Sequence, residues 1–250
     1  IMTEADFNED GSPKVPVFSS GSTYTPGDMK FVDVNGDGVI DDNDRTFIGN
    51  PNPDFYYGFN INMEYKGFDL SMFFQGVAGN EIYDVTRYFR YSNVSYSGGW
   101  ENLNYLSFSN VSEDYFDKVW RPVPDPANPS YRDHWGANLN GTVPLPSSDG
   151  TKNEMNFRNS DFYIQDGSYL RLKNIQLGYT FPKKWVNKLS VSNLRVYASA
   201  TNLFTITSYD GLDPEVGKTS GQESNNLYLG IDQGVYPQAR SYMFGVIIDF

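Results

Sequence analysis

The chain has no cysteine, a single histidine, and only 19 Lys and Arg against 31 Asp and Glu. Without cysteine there is neither a disulfide framework nor a thiolate metal site, which leaves the compartment open. The one histidine, His134, sits in Asp133-His134-Trp135 of a proline-rich stretch with no nucleophile motif around it. The carboxylates are scattered through loop-like sequence, where they solvate the chain rather than pair for acid–base work. The chain is therefore read as non-enzymatic. A net charge of −12 argues against nucleic acid, since phosphate binding needs clustered Lys and Arg. No apolar run approaches the roughly 18 residues of a membrane helix, so a helical membrane protein is excluded. A β-barrel is not, because its lipid-facing residues alternate with polar ones. The chain opens at Ile1 with no initiator Met and no charged-then-apolar leader, and reads as a processed product or a fragment.

What the chain does contain is aromatic side chains in alternation. Tyr and Phe number 19 and 18, against a mean hydropathy of −0.52. In the tail, Tyr242, Phe244, Val246, Ile248 and Phe250 share one parity, while Ser241, Met243, Gly245, Ile247 and Asp249 take the other. The length suits either a transmembrane strand of about 9–11 residues or a soluble edge strand. After Asn50-Pro-Asn-Pro53, the odd residues Phe55 to Tyr65 are apolar. Lys66-Gly67 then makes a tight turn into a second alternating strand carrying Phe68, Leu70, Met72 and Phe74. In Ser168 to Phe181, Ile175, Leu177, Tyr179 and Phe181 share a face, but Leu170 and Leu172 fall on the opposite parity, which calls for a bulge near Lys173. Leu194, Val196, Ala198 and Ala200 mark a further strand.

The sharpest local motif is Asp33-Val-Asn-Gly-Asp-Gly-Val-Ile-Asp-Asp-Asn-Asp44. Oxygen side chains occupy positions 1, 3, 5, 9 and 12 of a twelve-residue calcium loop, with Gly38 at the sharp sixth position and apolar Ile40 at the eighth. Asp33, Asn35, Asp37, Asp41 and Asp44 would supply side-chain oxygens to Ca2+, and Val39 its carbonyl. Position 12 is Asp rather than Glu and no amphipathic helix flanks the loop, so its expected role is structural. The alternative is an Asx-rich turn without metal.

Two long irregular segments, residues 81–167 and 207–239, hold most of the Pro, Gly, Asn and acidic residues. Such lengths are unusual in a compact soluble domain and ordinary on the outer side of an outer-membrane barrel. If the last strand descends to the periplasm, antiparallel order sends every short turn inside and every long loop outside, the calcium-type loop included. The fold expected is all-β: an antiparallel transmembrane β-barrel segment of about five strands with long extracellular loops. Residues 1–54 then form an extracellular loop region carrying the loop 33–44, and residues 55–250 supply barrel strands with outer loops 81–167 and 207–239. Loop aromatics, among them Tyr91, Trp100, Trp120 and Trp135, would either stack on a ligand or lid protein or pack the long loop against itself. Lys183, Lys184 and Lys188 near Trp185 fit either an interfacial anchor or a plain solvated turn.

Several separate motifs resemble one family. They are Pro26-Gly-Asp-Met-Lys-Phe-Val-Asp-Val-Asn-Gly-Asp-Gly38, Gly49-Asn-Pro-Asn-Pro53, Gly67-Phe-Asp-Leu70, Gln75-Gly76, Asp166-Gly-Ser-Tyr-Leu-Arg-Leu-Lys-Asn174 and Gly234-Val-Tyr-Pro237. From about Pro26 to Phe250 the chain resembles the C-terminal part of SusC-like (SusC/RagA) TonB-dependent outer-membrane transporters. The resemblance implies a Gram-negative, Bacteroidetes-type outer membrane and a large barrel plugged by an N-terminal domain. It further implies a SusD-like surface lipoprotein as lid, import of glycans or peptides driven through TonB, and contact with outer-membrane lipid. Terminal Phe250 would then be a signal to the barrel-assembly machinery, though it is equally the last lipid-facing side chain. Five strands cannot close such a barrel. A secreted, calcium-stabilised β-sandwich that binds carbohydrate is the alternative; it accounts for the metal loop but not for the tail or the sorting of turn lengths.

Overall fold

Residues 55–78 alternate aromatic or aliphatic side chains with small or polar ones, and they fold as the hairpin that this pattern dictates. The computed structural model describes residues 1–18, 24–92, 113–127, 135–145, 155–187, 191–216 and 229–250. Trp100, His134, Lys188 and the loop aromatics Tyr96, Tyr105 and Tyr131 lie outside the described residues, as does the side chain of Phe89. In chain order the strands are β1 (Val17–Phe18), β2 (Val39–Ile40), β3 (Phe55–Tyr65), β4 (Phe68–Ala78), β5 (Glu81–Asp84), β6 (Ile164–Asp166), β7 (Tyr169–Thr180), β8 (Asn193–Thr201), β9 (Thr205–Thr207), β10 (Ile231–Asp232) and β11 (Ser241–Asp249). The helices are α1 (Val85–Ser92), α2 (Glu113–Lys118) and the single turn α3 (Lys183–Val186).

By its internal contacts the chain divides into two units, each discontinuous in sequence. One comprises residues 1–48 and 86–163, the other residues 49–85 and 164–250.

The second unit holds a six-stranded sheet ordered β11-β8-β7-β4-β3, with β9 pairing β7 as well. Every pairing in it is antiparallel. Lys66 and Gly67 make the β3–β4 turn in the left-handed region, with φ of 49° and 91°. Two positive-φ residues give the turn a twist that matches its strands. The five long strands follow one another in chain order across the sheet. The turn at residues 66–67 and the link 181–192 lie at one end, and both long excursions, 79–168 and 202–240, leave from the other. That is the sorting expected from the sequence.

One face of this sheet is apolar from edge to edge. The register stacks Ile61, Met72, Ile175, Ala200 and Tyr242 in one row, and Met63, Leu70, Leu177, Ala198 and Phe244 in the next. The expected bulge is present: Phe73 pairs with Asn174 but Phe74 with Leu172, so Lys173 is left out of the ladder. One extra residue reverses the parity of everything before it. Leu170 and Leu172 are thereby returned to the apolar face, opposite Gly76 and Phe74. The strand marked by Leu194, Val196, Ala198 and Ala200 ends opposite the same point. Asn202, at φ 50°, donates its N–H to the Lys173 carbonyl at 3.0 Å, and the chain resumes as β9 further along β7.

Much of the apolar face is uncovered: Phe59 is 44 % exposed and Phe244 83 %. At about 3.3 Å per residue and a tilt of ~40°, the eleven residues of β3 rise roughly 25 Å, the height of an outer-membrane apolar band. The same unit carries a small sheet, β10-β5-β6, in which β10 runs parallel to β5.

The excursion 81–167 is not irregular throughout, as it reads in sequence, since it contains β5, α1, α2 and β6. With α1 and α2 at eight and six residues, a helical period has too few turns to declare itself. The fold is thus mostly antiparallel β with short helices. In the first unit, Met2, Phe7, Phe18, Tyr24, Ile40 and Met155 form one core cluster, and Tyr91, Tyr115, Val119, Val143 and Phe157 another.

Deleting Lys173 removes the bulge but leaves Leu170 and Leu172 on the apolar face, because Asn174 and Leu172 then oppose Phe73 and Phe74 without a gap, whereas Lys173→Ala keeps the residue count and the bulge. The deletion is expected to keep the cooperative unfolding transition of the sheet in denaturant and to lose hydrogen-exchange protection of the Asn202 N–H, whose acceptor is the Lys173 carbonyl. The alanine variant should stay within about 1 kcal/mol of the parent, the usual worth of a partly exposed ion pair.

Candidate functional site

The stretch 33–44 folds as a tight loop knitted by its own side chains. Asp33 accepts hydrogen bonds from the Gly36 N–H at 2.6 Å and the Gly38 N–H at 2.8 Å. Asn35 Oδ1 accepts from the Asp37 N–H, and Asp37 Oδ1 from the Val39 N–H, both at 2.9 Å. Asp41 caps the 3-10 turn Asp42–Asp44 through the Asn43 N–H, while Asp44 closes the loop on the Val34 and Asp41 N–H groups at 2.8 Å each. Those backbone donors, the Asp41 N–H foremost, hold the Asp44 carboxyl below its ordinary range. Gly38 takes φ +88°, as a sharp turn at the sixth position requires. Val39 and Ile40 are the loop's seventh and eighth positions; paired with Val17 and Phe18, and with Ile40 buried, they fasten it to the core of the first unit.

The donor set suits a hard cation: four carboxylates, one carboxamide and one carbonyl, all oxygen. A carboxylate offers about four lone-pair sites, so one or two amide hydrogen bonds leave it able to ligate. As they stand, however, the side chains form a ladder of Asx turns. Among the described residues no three of His, Cys, Asp and Glu converge closely enough to hold a metal ion.

The aromatic candidates separate. Tyr91 is buried in the second core cluster of its unit, where its hydroxyl donates to Asp114; burial and that carboxylate raise its pKa. Trp120 is buried with its ring on Gly27, where an added Cβ would come within 2.5 Å of it. Packing accounts for both, and neither offers a face to solvent. Trp135 is half-buried, edge-on to Phe116 with ring centroids 5.9 Å apart. Phe250, just past β11, is 93 % exposed.

One polar cluster escaped the sequence reading. Arg171 on β7 is almost wholly buried and forms ion pairs with Asp213 at 2.5 Å and Glu215 at 2.8 Å, while its Nε donates to Thr205 Oγ1. Lys173, the bulged residue, joins Glu215 at 2.7 Å. Burial pushes the Asp213 carboxyl up, but donation from the Gln238 N–H and Arg171 outweighs it, and the net direction is down. Nearby on the same excursion, the buried Tyr209 hydroxyl donates to Asp232 at 2.6 Å; burial first, then that carboxylate, raises its pKa. The signal was two cations spaced two apart, Arg171 and Lys173, interleaved with Leu170 and Leu172. Their partners lie some forty residues on, beyond the reach of local periodicity.

No family model matches the chain. It is 33 % identical over 226 residues to TonB-dependent receptor P3 of Formosa agariphila, an alignment covering 90 % of this chain and 19 % of the relative. To TonB-dependent receptor SusC of Bacteroides thetaiotaomicron it is 32 % identical over 227 residues, covering 90 % and 18 %. The chain belongs to the SusC/RagA-like family of TonB-dependent receptors. It spans about a fifth of the length of the relatives it matches. Among solved structures, a chain of the RagAB peptide importer in its closed-closed state superposes with a TM-score of 0.53 at 20 % identity, covering 98 % of this chain and 20 % of that one. This likeness concerns the fold, and it assigns the antiparallel sheet to part of a RagA-type barrel. SusC/RagA-like receptors are outer-membrane proteins and transporters rather than enzymes.

Arg171→Ala leaves the Asp213 carboxylate buried without its partner, which costs about 3–5 kcal/mol. The expected outcome is loss of hydrogen-exchange protection over residues 205–216 with the β3–β4 hairpin unaffected. Because the folded pKa of Asp213 is depressed, its contribution is complete above the ordinary aspartate value and is lost as pH falls through the folded one. Protection of this segment should therefore survive mild acid and disappear only below the ordinary carboxylate range.

Proposed function

We propose that the chain is the C-terminal portion of a TonB-dependent outer-membrane nutrient importer. In this reading the sheet is a wall of the barrel, its apolar face meets lipid, and its other face looks inward. The observation that carries it is the meander itself, with an uncovered apolar face and both long excursions at one end. A secreted β-sandwich would need that face covered by a second sheet, and in water an apolar patch of this extent is a liability.

The imported material is proposed to be a glycan or a peptide, captured beneath a SusD-like surface lipoprotein. Kinship with SusC and the fold shared with a peptide importer support this class without choosing within it. Energy would come through TonB, and Phe250 would serve the barrel-assembly machinery. The loop 33–44 is proposed to bind Ca2+ through Asp33, Asn35, Asp37, Val39, Asp41 and Asp44 as a structural clip on the outer side.

Cysteines placed singly at Tyr236 and Asn187 in the full receptor test the topology. A membrane-impermeant thiol reagent added to intact cells is expected to label the first alone, and labelling of Asn187→Cys alone would invert the wall. Deleting the gene should abolish growth on one oligosaccharide or peptide source while growth on its monomers continues. For the metal, calorimetry on the detergent-purified receptor should give a calcium isotherm that Asp33→Ala/Asp37→Ala removes. An unchanged isotherm would sink the assignment.

A further inference from the structure

The end of the large sheet where connections are short carries an aromatic ladder on its apolar face. Tyr65 pairs with Phe68 in the β3–β4 register. The Phe68 ring lies 4.5 Å from Tyr179, Tyr179 is 5.0 Å from Phe181, and Phe181 is 6.3 Å from Trp185, which is 60 % exposed in α3. Three lysines accompany it. Lys66, in the β3–β4 turn, holds its ammonium 5.1 Å over the Tyr65 ring, and Lys183 and Lys184 are exposed beside Trp185. The two turns are neighbours, since the Thr180 N–H donates to the Gly67 carbonyl at 2.8 Å.

Among the described residues none of these lysines has a carboxylate partner. The acids at this end are engaged or face away. Asp69 is paired with Arg195 at 2.5 Å, and Asp249 Oδ2 accepts from Asn193 Nδ2 at 2.9 Å. Glu64, opposite Asp69 in the register, belongs to the polar face. In a chain of net charge −12, three uncompensated cations are thus gathered where an exposed aromatic row ends.

We infer that this end of the sheet is a binding site for an anionic phospholipid of the inner leaflet. The inference rests on the membrane reading above and adds the lipid class to it. Aromatic rings with one apolar body and one polar edge settle at the level of the headgroups, and basic side chains just beyond them draw phosphate. Here the ladder from Tyr65 to Trp185 packs the upper acyl chain, while Lys66, Lys183 and Lys184 ring the headgroup phosphate. The inner leaflet is the source because the short turns mark the periplasmic side, which separates this phosphate from those of lipid A.

The test uses the full receptor in neutral detergent, titrated with phosphatidylglycerol, phosphatidylcholine or lipid A and followed by native mass spectrometry and by thermal unfolding. Phosphatidylglycerol is expected to bind about tenfold or more tightly than phosphatidylcholine at low salt, with the preference shrinking as salt screens it. Lys66→Ala/Lys183→Ala/Lys184→Ala should lose the preference and the triple arginine variant should keep it, both remaining heat-modifiable and therefore folded. Equal affinity for the two phospholipids, a preference surviving the alanine variant, or tighter binding of lipid A would each overturn the inference. A receptor that stays soluble and monodisperse without detergent would instead defeat the membrane reading on which it rests.

Discussion

A pleated strand sends successive side chains to opposite faces, so a sheet with one apolar face tolerates no error in parity. The rest of the large sheet depends on this constraint. It is met in β3, β4, β8 and β11 by simple alternation and in β7 by a single unpaired residue, Lys173. The bulge returns Leu170 and Leu172 to the apolar face, and it coincides with the point where β8 gives way to β9. The residue spared from the ladder is also put to use, because its ammonium reaches Glu215.

The polar face obeys a different rule, since whatever it holds must be satisfied. Asp69 and Arg195 pair across Gly178, where an added Cβ would meet both side chains within about 2.5 Å, so a residue without a side chain makes room for the ion pair. At the opposite end, Arg171 binds Asp213 and Glu215 and so ties the excursion after β9 back to the wall. Buried ion pairs add little net stability compared with apolar packing, but they restrict geometry. A segment of this length, held at one buried point, keeps a defined path where it leaves the strand.

The calcium-type loop shows how a local motif behaves in a larger fold. Its glycine, its Asx turns and its 3-10 exit all form within twelve residues, and the buried Ile40 joins it to a core drawn from residues as distant as Met155. The aromatics of the long excursion behave in the opposite way. In sequence Tyr91 and Trp120 suit either a ligand or a core, and burial among Tyr115, Val143 and Gly27 accounts for them as packing.

Alternation by itself determined the five long strands, the Lys66-Gly67 turn and the bulge, because each depends on residues within a few positions of one another. The loop 33–44 was legible for the same reason. Only the tertiary structure decided that the excursion 81–167 contains short helices and strands of its own, that Arg171 has its partners at Asp213 and Glu215, and that Lys66 stands beside the turn carrying Lys183 and Lys184. These contacts join residues from tens to more than a hundred positions apart. Periodicity along the chain carries information about which face a side chain takes, and none about which distant residue will meet it there.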